Sequence, residues 1–176
     1  MPTDFLQNDT ILLRAVELSD VDTLYRWEND TSQWATANTR APYSRTQLWN
    51  YANDYDGDIH AHHGIRLMVC LRNEGTAIGT VDIYDFDPVN SFASIGIYIS
   101  SRMRGRGYGV QALSLATAYA RQCVGIRQLL AIAAADNLAS QAMLKQAGYA
   151  HCGTLKHLLR HGDEYKNAHI YQFITT

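Results

Sequence analysis

The chain has 176 residues, 47% hydrophobic and 18% charged, with a formal net charge of −2. That length and apolar content suit one globular domain over 1–176 with a sizeable core, and the near-neutral charge excludes a global attraction to nucleic acid or an anionic membrane. The opening MPTDFLQNDT lacks a basic-then-apolar leader, and the longest apolar stretch, LLAIAAA at 129–135, is too short to span a bilayer, so a soluble, cytoplasmic protein is expected.

In chain order, TILLR at 10–14 reads as a first strand. Ser19-Asp20-Val21-Asp22 reads as a capping box opening a helix through about Trp27. A second box, Ser44 with Gln47, opens a helix whose Leu48, Tyr51, Ala52 and Tyr55 fall on one apolar face. GIRLMVCLR (64–72), TAIGTVDIYDF (76–86) and SFASIGIYIS (91–100) form a predicted meander, separated by Asn-Glu-Gly and Asp-Pro-x-Asn turns. After RGRGYG (104–109) comes a helix to about Val124, then a strand at 128–134, then a helix from Asn137 to Ala147. Gly125 and Gly148 are placed to end the two helices. Strands at about 150–160 and 164–174, joined by His-Gly-Asp, make a closing hairpin. This order implies an α+β fold with a mixed sheet and helices on both faces. Cys70, Cys123 and Cys152 are odd in number and widely spaced, which suits reduced thiols rather than a disulfide framework or a zinc site.

The turn at 104–109 carries the clearest chemistry. Glycines permit positive φ and close backbone approach, and a helix N-terminus offers unpaired N–H groups with partial positive charge, so Gly105, Gly107 and Gly109 with Arg104, Arg106 and Tyr108 suit an anion. A dinucleotide fingerprint does not fit, because the sixth position counted from Gly105 is Val110 and from Gly107 is Ala112. A P-loop does not fit either, for no Lys-Ser or Lys-Thr follows the glycines.

Arg104-x-x-Gly107-x-Gly109 at a strand-to-helix turn resembles the Gln/Arg-x-x-Gly-x-Gly/Ala acetyl-CoA signature of the GNAT superfamily of N-acetyltransferases. Downstream, NLASQAMLKQAGY (137–149) resembles that family's Asn-x-x-Ser helix ending in glycine and an aromatic. The resemblance covers nearly the whole chain. It implies the GNAT fold, a mostly antiparallel sheet of about seven strands, and acetyl-CoA as donor with no metal. It also implies that residues 104–109 hold the pyrophosphate, that the main chain of Ile97 and Ile99 bonds the pantetheine in a gap between strands 91–100 and 128–134, and that Asn137 reaches the same arm. A plain helix N-cap is the competing role for Asn137.

The chemistry so implied is direct attack of an amine on a thioester, with the Ile97 N–H polarising the carbonyl. Many relatives protonate the departing thiolate with a tyrosine seven residues after the asparagine; here that residue is Leu144. Ser140 resembles a serine near the sulfur in Rim-type acetyltransferases of ribosomal-protein amino termini, although a first-turn serine bonding backbone accounts for it equally. Neutralising a lysine-like amine at pH 7 costs about 4–5 kcal/mol, against about 1 for an α-amino group, so only the former demands a strong base. Candidate bases are Asp82 or Asp85, which strand alternation places on opposite faces, and Tyr98. Glu28, Asp30, Asp54, Asp56 and Asp58 make the acceptor side acidic, whether as solvated faces or as an attraction for a cationic amine. His60, His62 and His63 read as a loop cluster without metal-ligand spacing, and His157 with His161 as residues sharing a strand face. The tail at 157–173 resembles the Rim-type enzymes, and the strand pair TVDIYDF and SIGIYIS resembles bacterial spermidine/spermine N-acetyltransferases. A peptide or small-molecule amine acceptor and a homodimer both fit. The remaining reading is an acetyl-CoA sensor without transfer, for which Leu144 is the one supporting residue.

Overall fold

The computed structural model describes residues 5–34, 39 and 41–175. Strand β1 (Ile11–Arg14) is followed by a 3-10 turn (Leu18–Asp20), helix α1 (Val21–Glu28), helix α2 (Arg45–Asn53) and the single-turn α3 (Ile59–His62). Strands β2 (Ile65–Leu71), β3 (Ala77–Asp87) and β4 (Phe92–Ile99) form the meander, and helix α4 (Tyr108–Tyr119) runs into a π-helical turn (Ala120–Val124). Then come β5 (Gln128–Ala134), α5 (Leu138–Gln146) and the hairpin of β6 (Ala150–His161) and β7 (Glu164–Ile174). No helix among the described residues is long and apolar enough to cross a membrane.

The strands make one seven-stranded sheet in the order β1-β2-β3-β4-β5-β7-β6, antiparallel except for the β4–β5 pair. Alternation sorts the side chains of the first four strands into two layers. Ile11, Val69, Val81, Ile83 and Ile95 point to one face and pack under Ala112, Leu113 and Ala116 of α4. Met68 and Cys70 point to the other, against Leu24 of α1 and Leu48 and Ala52 of α2. The expected α+β architecture with helices on both faces is the one observed. Gly125 and Gly148 take the left-handed conformation that ends their helices, at φ 80° and 89°.

Four local expectations are corrected. The first capping box is Glu17 with Asp20, not a box starting at Ser19, because Asp20 turns inward to accept from the two terminal nitrogens of the Arg14 guanidinium at 2.7 and 2.8 Å. Helix α2 stops at Asn53, so its buried stripe is Leu48 and Ala52. Tyr51 stays 39% exposed, and Tyr55, beyond the helix, donates its hydroxyl to the Arg66 carbonyl. In β3 the register shifts between Tyr84 and Asp87, and Asp85 adopts φ 52°; this bulge turns Phe86 inward and leaves Asp85 exposed, off the face it would have shared with Ile83. A second bulge, at His157 with φ 50°, breaks the alternation that would have put His157 and His161 together.

Candidate active site

After β4 a 3-10 turn (Ser101–Met103) delivers the chain to Gly105 at φ 74° and Gly107 at φ 79°, and α4 begins at Tyr108. No side chain caps α4, and among the described residues no main-chain carbonyl accepts from the N–H groups of residues 105–109. Two left-handed glycines leading into uncapped helical N–H groups make a concavity lined by donors, the geometry that seats a phosphate. Arg102 and Arg106 lie exposed beside it. A Cβ on Gly109 would stand 2.7 Å from Met143 Sδ, so the missing side chain lets the start of α4 lie against α5.

Beyond this turn the sheet opens. Only Phe92, Ala93 and Ser94 of β4 pair with β5, opposite Gln128, Leu129 and Leu130, whereas β5 stays paired with β7 along its length. The Ser100 N–H bonds the Ile78 carbonyl at 2.9 Å, so antiparallel alternation turns the main chain of Ile97 and Ile99 away from β3, into the gap beside β5. Asn137 lies at the end of β5 and caps α5, accepting the Ser140 N–H on Oδ1 at 3.1 Å. Its amide nitrogen has no partner among the described residues and is the group left to reach a ligand. The Ser140 hydroxyl, half-buried in the first turn of α5, likewise has no hydrogen bond among the described residues. Leu144 is 4% exposed within the main core, so the position occupied by tyrosine in many relatives here serves packing.

The face of β2, β3 and β4 that meets α1 and α2 holds the ionisable groups. Arg66 and Asp82 are cross-strand partners, and the Arg66 guanidinium grips both Asp82 oxygens, at 2.5 and 3.2 Å. Its third nitrogen bonds Glu28 Oε1 of α1 at 2.5 Å. Burial would lower the Arg66 pKa, but Asp82 and Glu28 more than offset it and hold the guanidinium charged well above its ordinary range. Tyr98 lies on the same face with its ring 5.3 Å from Trp27, and burial raises its phenol above the usual value, so it is a proton donor rather than a base near neutral pH. Tyr51, its pKa raised by the same cause, lies 6.0 Å from the Arg66 guanidinium.

The structure therefore brings Asp82 and Tyr98 to one face and gathers Ile97, Ile99, residues 104–109, Asn137 and Ser140 around the gap between β4 and β5. Asp56 and Asp58 are engaged locally: the Asp58 N–H and His62 hold the Asp56 carboxyl below its usual range, and Asp58 caps α3. The three neighbouring histidines have separate partners, His60 on the Phe86 ring, His62 on Asp56 and His63 on the Phe86 carbonyl. Arg66 and Gln33 are the residues sequence reasoning missed. The cation inside the apolar run GIRLMVCL was the available signal for Arg66, since such a charge needs buried partners. Gln33 gave no signal.

The profile of the acetyltransferase (GNAT) domain matches residues 10–150. The ribosomal-protein-serine acetyltransferase of Escherichia coli (strain K12) is 22% identical over 165 residues, 93% of this chain and 92% of that protein. Among solved structures, spermidine N-acetyltransferase from Vibrio cholerae in complex with CoA and spermine superposes with a TM-score of 0.83 at 19% identity, covering 95% of this chain and 96% of that one. A ribosomal L7/L12 α-N-protein acetyltransferase in complex with coenzyme A gives a TM-score of 0.78 at 20% identity, covering 95% of each chain.

Proposed function

The chain belongs to the acetyltransferase (GNAT) domain family, and on that premise we propose that it acetylates the α-amino group of a peptide or similar small amine, using acetyl-CoA as donor. The carrying observation is the engagement of the acceptor-side carboxylates: both Asp82 oxygens and one Glu28 oxygen are held by Arg66. With both of its oxygens on the guanidinium, Asp82 has none left open to an incoming amine, and the raised Tyr98 phenol is no base. The acceptor must then arrive already neutral, which costs an α-amino group about 1 kcal/mol at pH 7 and an alkyl amine about 4–5.

The residues fit acetyl-CoA as donor. The open N–H groups of residues 105–109 and the exposed Arg106 would bind its pyrophosphate, and the Asn137 amide, the main chain of Ile97 and the Ile99 N–H would bind its arm. The donor supplies an activated thioester. The amine nitrogen forms a bond to the carbonyl carbon, the C–S bond breaks, and the nitrogen's proton leaves to solvent while the sulfur is protonated. The Ile97 N–H stabilises charge on the carbonyl oxygen, and Ser140 stands at the α5 N-terminus as donor to the departing sulfur. A free thiol has a pKa near 8.5, so loss of the tyrosine acid at Leu144 leaves the step feasible at neutral pH.

A polyamine acceptor is the second reading. One specific observation favours it: two carboxylates share a single cation in the Glu28–Arg66–Asp82 network, leaving excess negative charge beside the rings of Trp27, Tyr51 and Tyr98. Thiol release from acetyl-CoA, screened across a free-amino peptide, spermidine, free lysine and an aminoglycoside, tests the proposal. The peptide is expected to react fastest at pH 7.5. Spermidine leading would favour the second reading, and acetyl-CoA binding without thiol release from any amine would favour a sensor.

A further inference from the structure

The two arginines of the glycine turn make different contacts. Arg106 is exposed, and no described residue bonds it. Arg104 donates through Nε to the Ile99 carbonyl at 2.8 Å and through Nη2 to Gln33 Oε1 at 2.7 Å, with its guanidinium carbon 5.9 Å from the Tyr98 ring centre. Gln33 belongs to a turn that follows α1: its N–H bonds the Asp30 carbonyl at 2.9 Å, and Trp34, the next residue, donates its indole N–H to the Glu28 carbonyl at 2.8 Å. Glu28 is the α1 residue that bonds Arg66, the partner of Asp82. A continuous set of contacts thus runs from the glycine turn, through Arg104 and Gln33, to the carboxylates on the acceptor side.

The planar guanidinium suits this bridge. It serves two acceptors in fixed directions while its flat face stacks toward a ring, which a lysine ammonium does not reproduce. Two of its five N–H donors are committed, to a strand carbonyl and a side-chain amide, and these fix the guanidinium in place, whereas the backbone N–H groups and the unbonded Arg106 are left for a phosphate.

We propose that Arg104 is a positioning residue for the acceptor rather than a ligand of the donor's phosphates: through Gln33 it holds the turn at 30–34, and with it Glu28, against the face where the amine arrives. The proposal rests on the acetyl-transfer reading above. It makes one turn serve both substrates, with Arg106 facing the donor and Arg104 setting the acceptor subsite.

The test compares Arg104→Ala, Gln33→Ala, Gln33→Glu and Arg106→Ala in the full chain. Acetyl-CoA affinity is read by calorimetry, and steady-state kinetics use a hexapeptide with a free N-terminal serine and, in parallel, spermidine. Arg106→Ala is expected to weaken acetyl-CoA binding about tenfold, the worth of one charge-assisted contact. Arg104→Ala and Gln33→Ala should leave that affinity within about twofold, raise the acceptor KM about tenfold and barely move kcat. Gln33→Glu, which keeps an oxygen for Arg104, should restore the KM, and the double alanine variant should be no worse than either single one. Amide exchange across 28–34 needs no acceptor and should accelerate in both alanine variants. If Arg104→Ala costs as much acetyl-CoA affinity as Arg106→Ala, or leaves exchange at 28–34 unchanged, the proposal is overturned. Absence of acetyl-CoA binding by the unmodified protein would be a separate failure, that of the acetyl-transfer reading.

Discussion

Replacing Leu144 by tyrosine puts back the side chain that many relatives use as a general acid, and the structure predicts that it will harm rather than help. Leu144 is 4% exposed in the cluster that includes Ala112, Leu113 and Tyr149. An added ring must displace packed neighbours, at about 1–3 kcal/mol, and its hydroxyl would enter an apolar site without a partner, at about 1–3 more. Taking about 3 kcal/mol in all, a domain of this size should melt roughly 6–12 °C lower. Differential scanning fluorimetry reads the shift, and thiol release at a permissive temperature reads kcat, which should not rise. A variant of unchanged stability whose kcat climbs tenfold would refute the reasoning, since it would mean that position 144 opens onto the donor sulfur.

Three further outcomes are expected. Gly107→Asp, placing a carboxylate and a Cβ at φ 79° within the donor-lined concavity, should abolish the rise in melting temperature caused by acetyl-CoA while the chain still folds; an unchanged ligand shift by fluorimetry would contradict the phosphate seat. Ser140→Ala should lower kcat about tenfold with acetyl-CoA affinity nearly intact, whereas a loss seen only in affinity by calorimetry would mark a structural serine. Arg66→Met should destabilise the fold by about 3 kcal/mol in urea unfolding, because Glu28 and Asp82, at 19% and 29% side-chain exposure, would face each other uncompensated; a cost under about 1 kcal/mol would show that the network is solvated.

The glycine turn and the start of α5 were legible because their signals are local. The glycines, the helix start and the Asn137 cap all lie within short stretches whose spacing already fixes their backbone geometry. The Glu28–Arg66–Asp82 network was not, because its residues meet only through the β2–β3 register, which sets Arg66 opposite Asp82, and through the docking of α1. The β3 bulge escaped for a similar reason: the Phe86 N–H bonds the His63 carbonyl at 2.9 Å and the Phe86 carbonyl meets His63 Nδ1 at 3.0 Å, so a distant loop turns Asp85 outward. Arg14 likewise overrides the local cap preference of Ser19 by drawing Asp20 inward.

The pH dependence of kcat/KM on two acceptors tests most directly whether the amine must arrive neutral. For a peptide α-amine the profile should rise and level off near the amine's own pKa of about 8, while for spermidine it should climb nearly tenfold per pH unit between about 7 and 9. The peptide should lead at pH 7.5. A spermidine profile that is flat above pH 7 and higher than the peptide's would mean that a carboxylate such as Asp82 takes the proton despite Arg66, and the account would be contradicted.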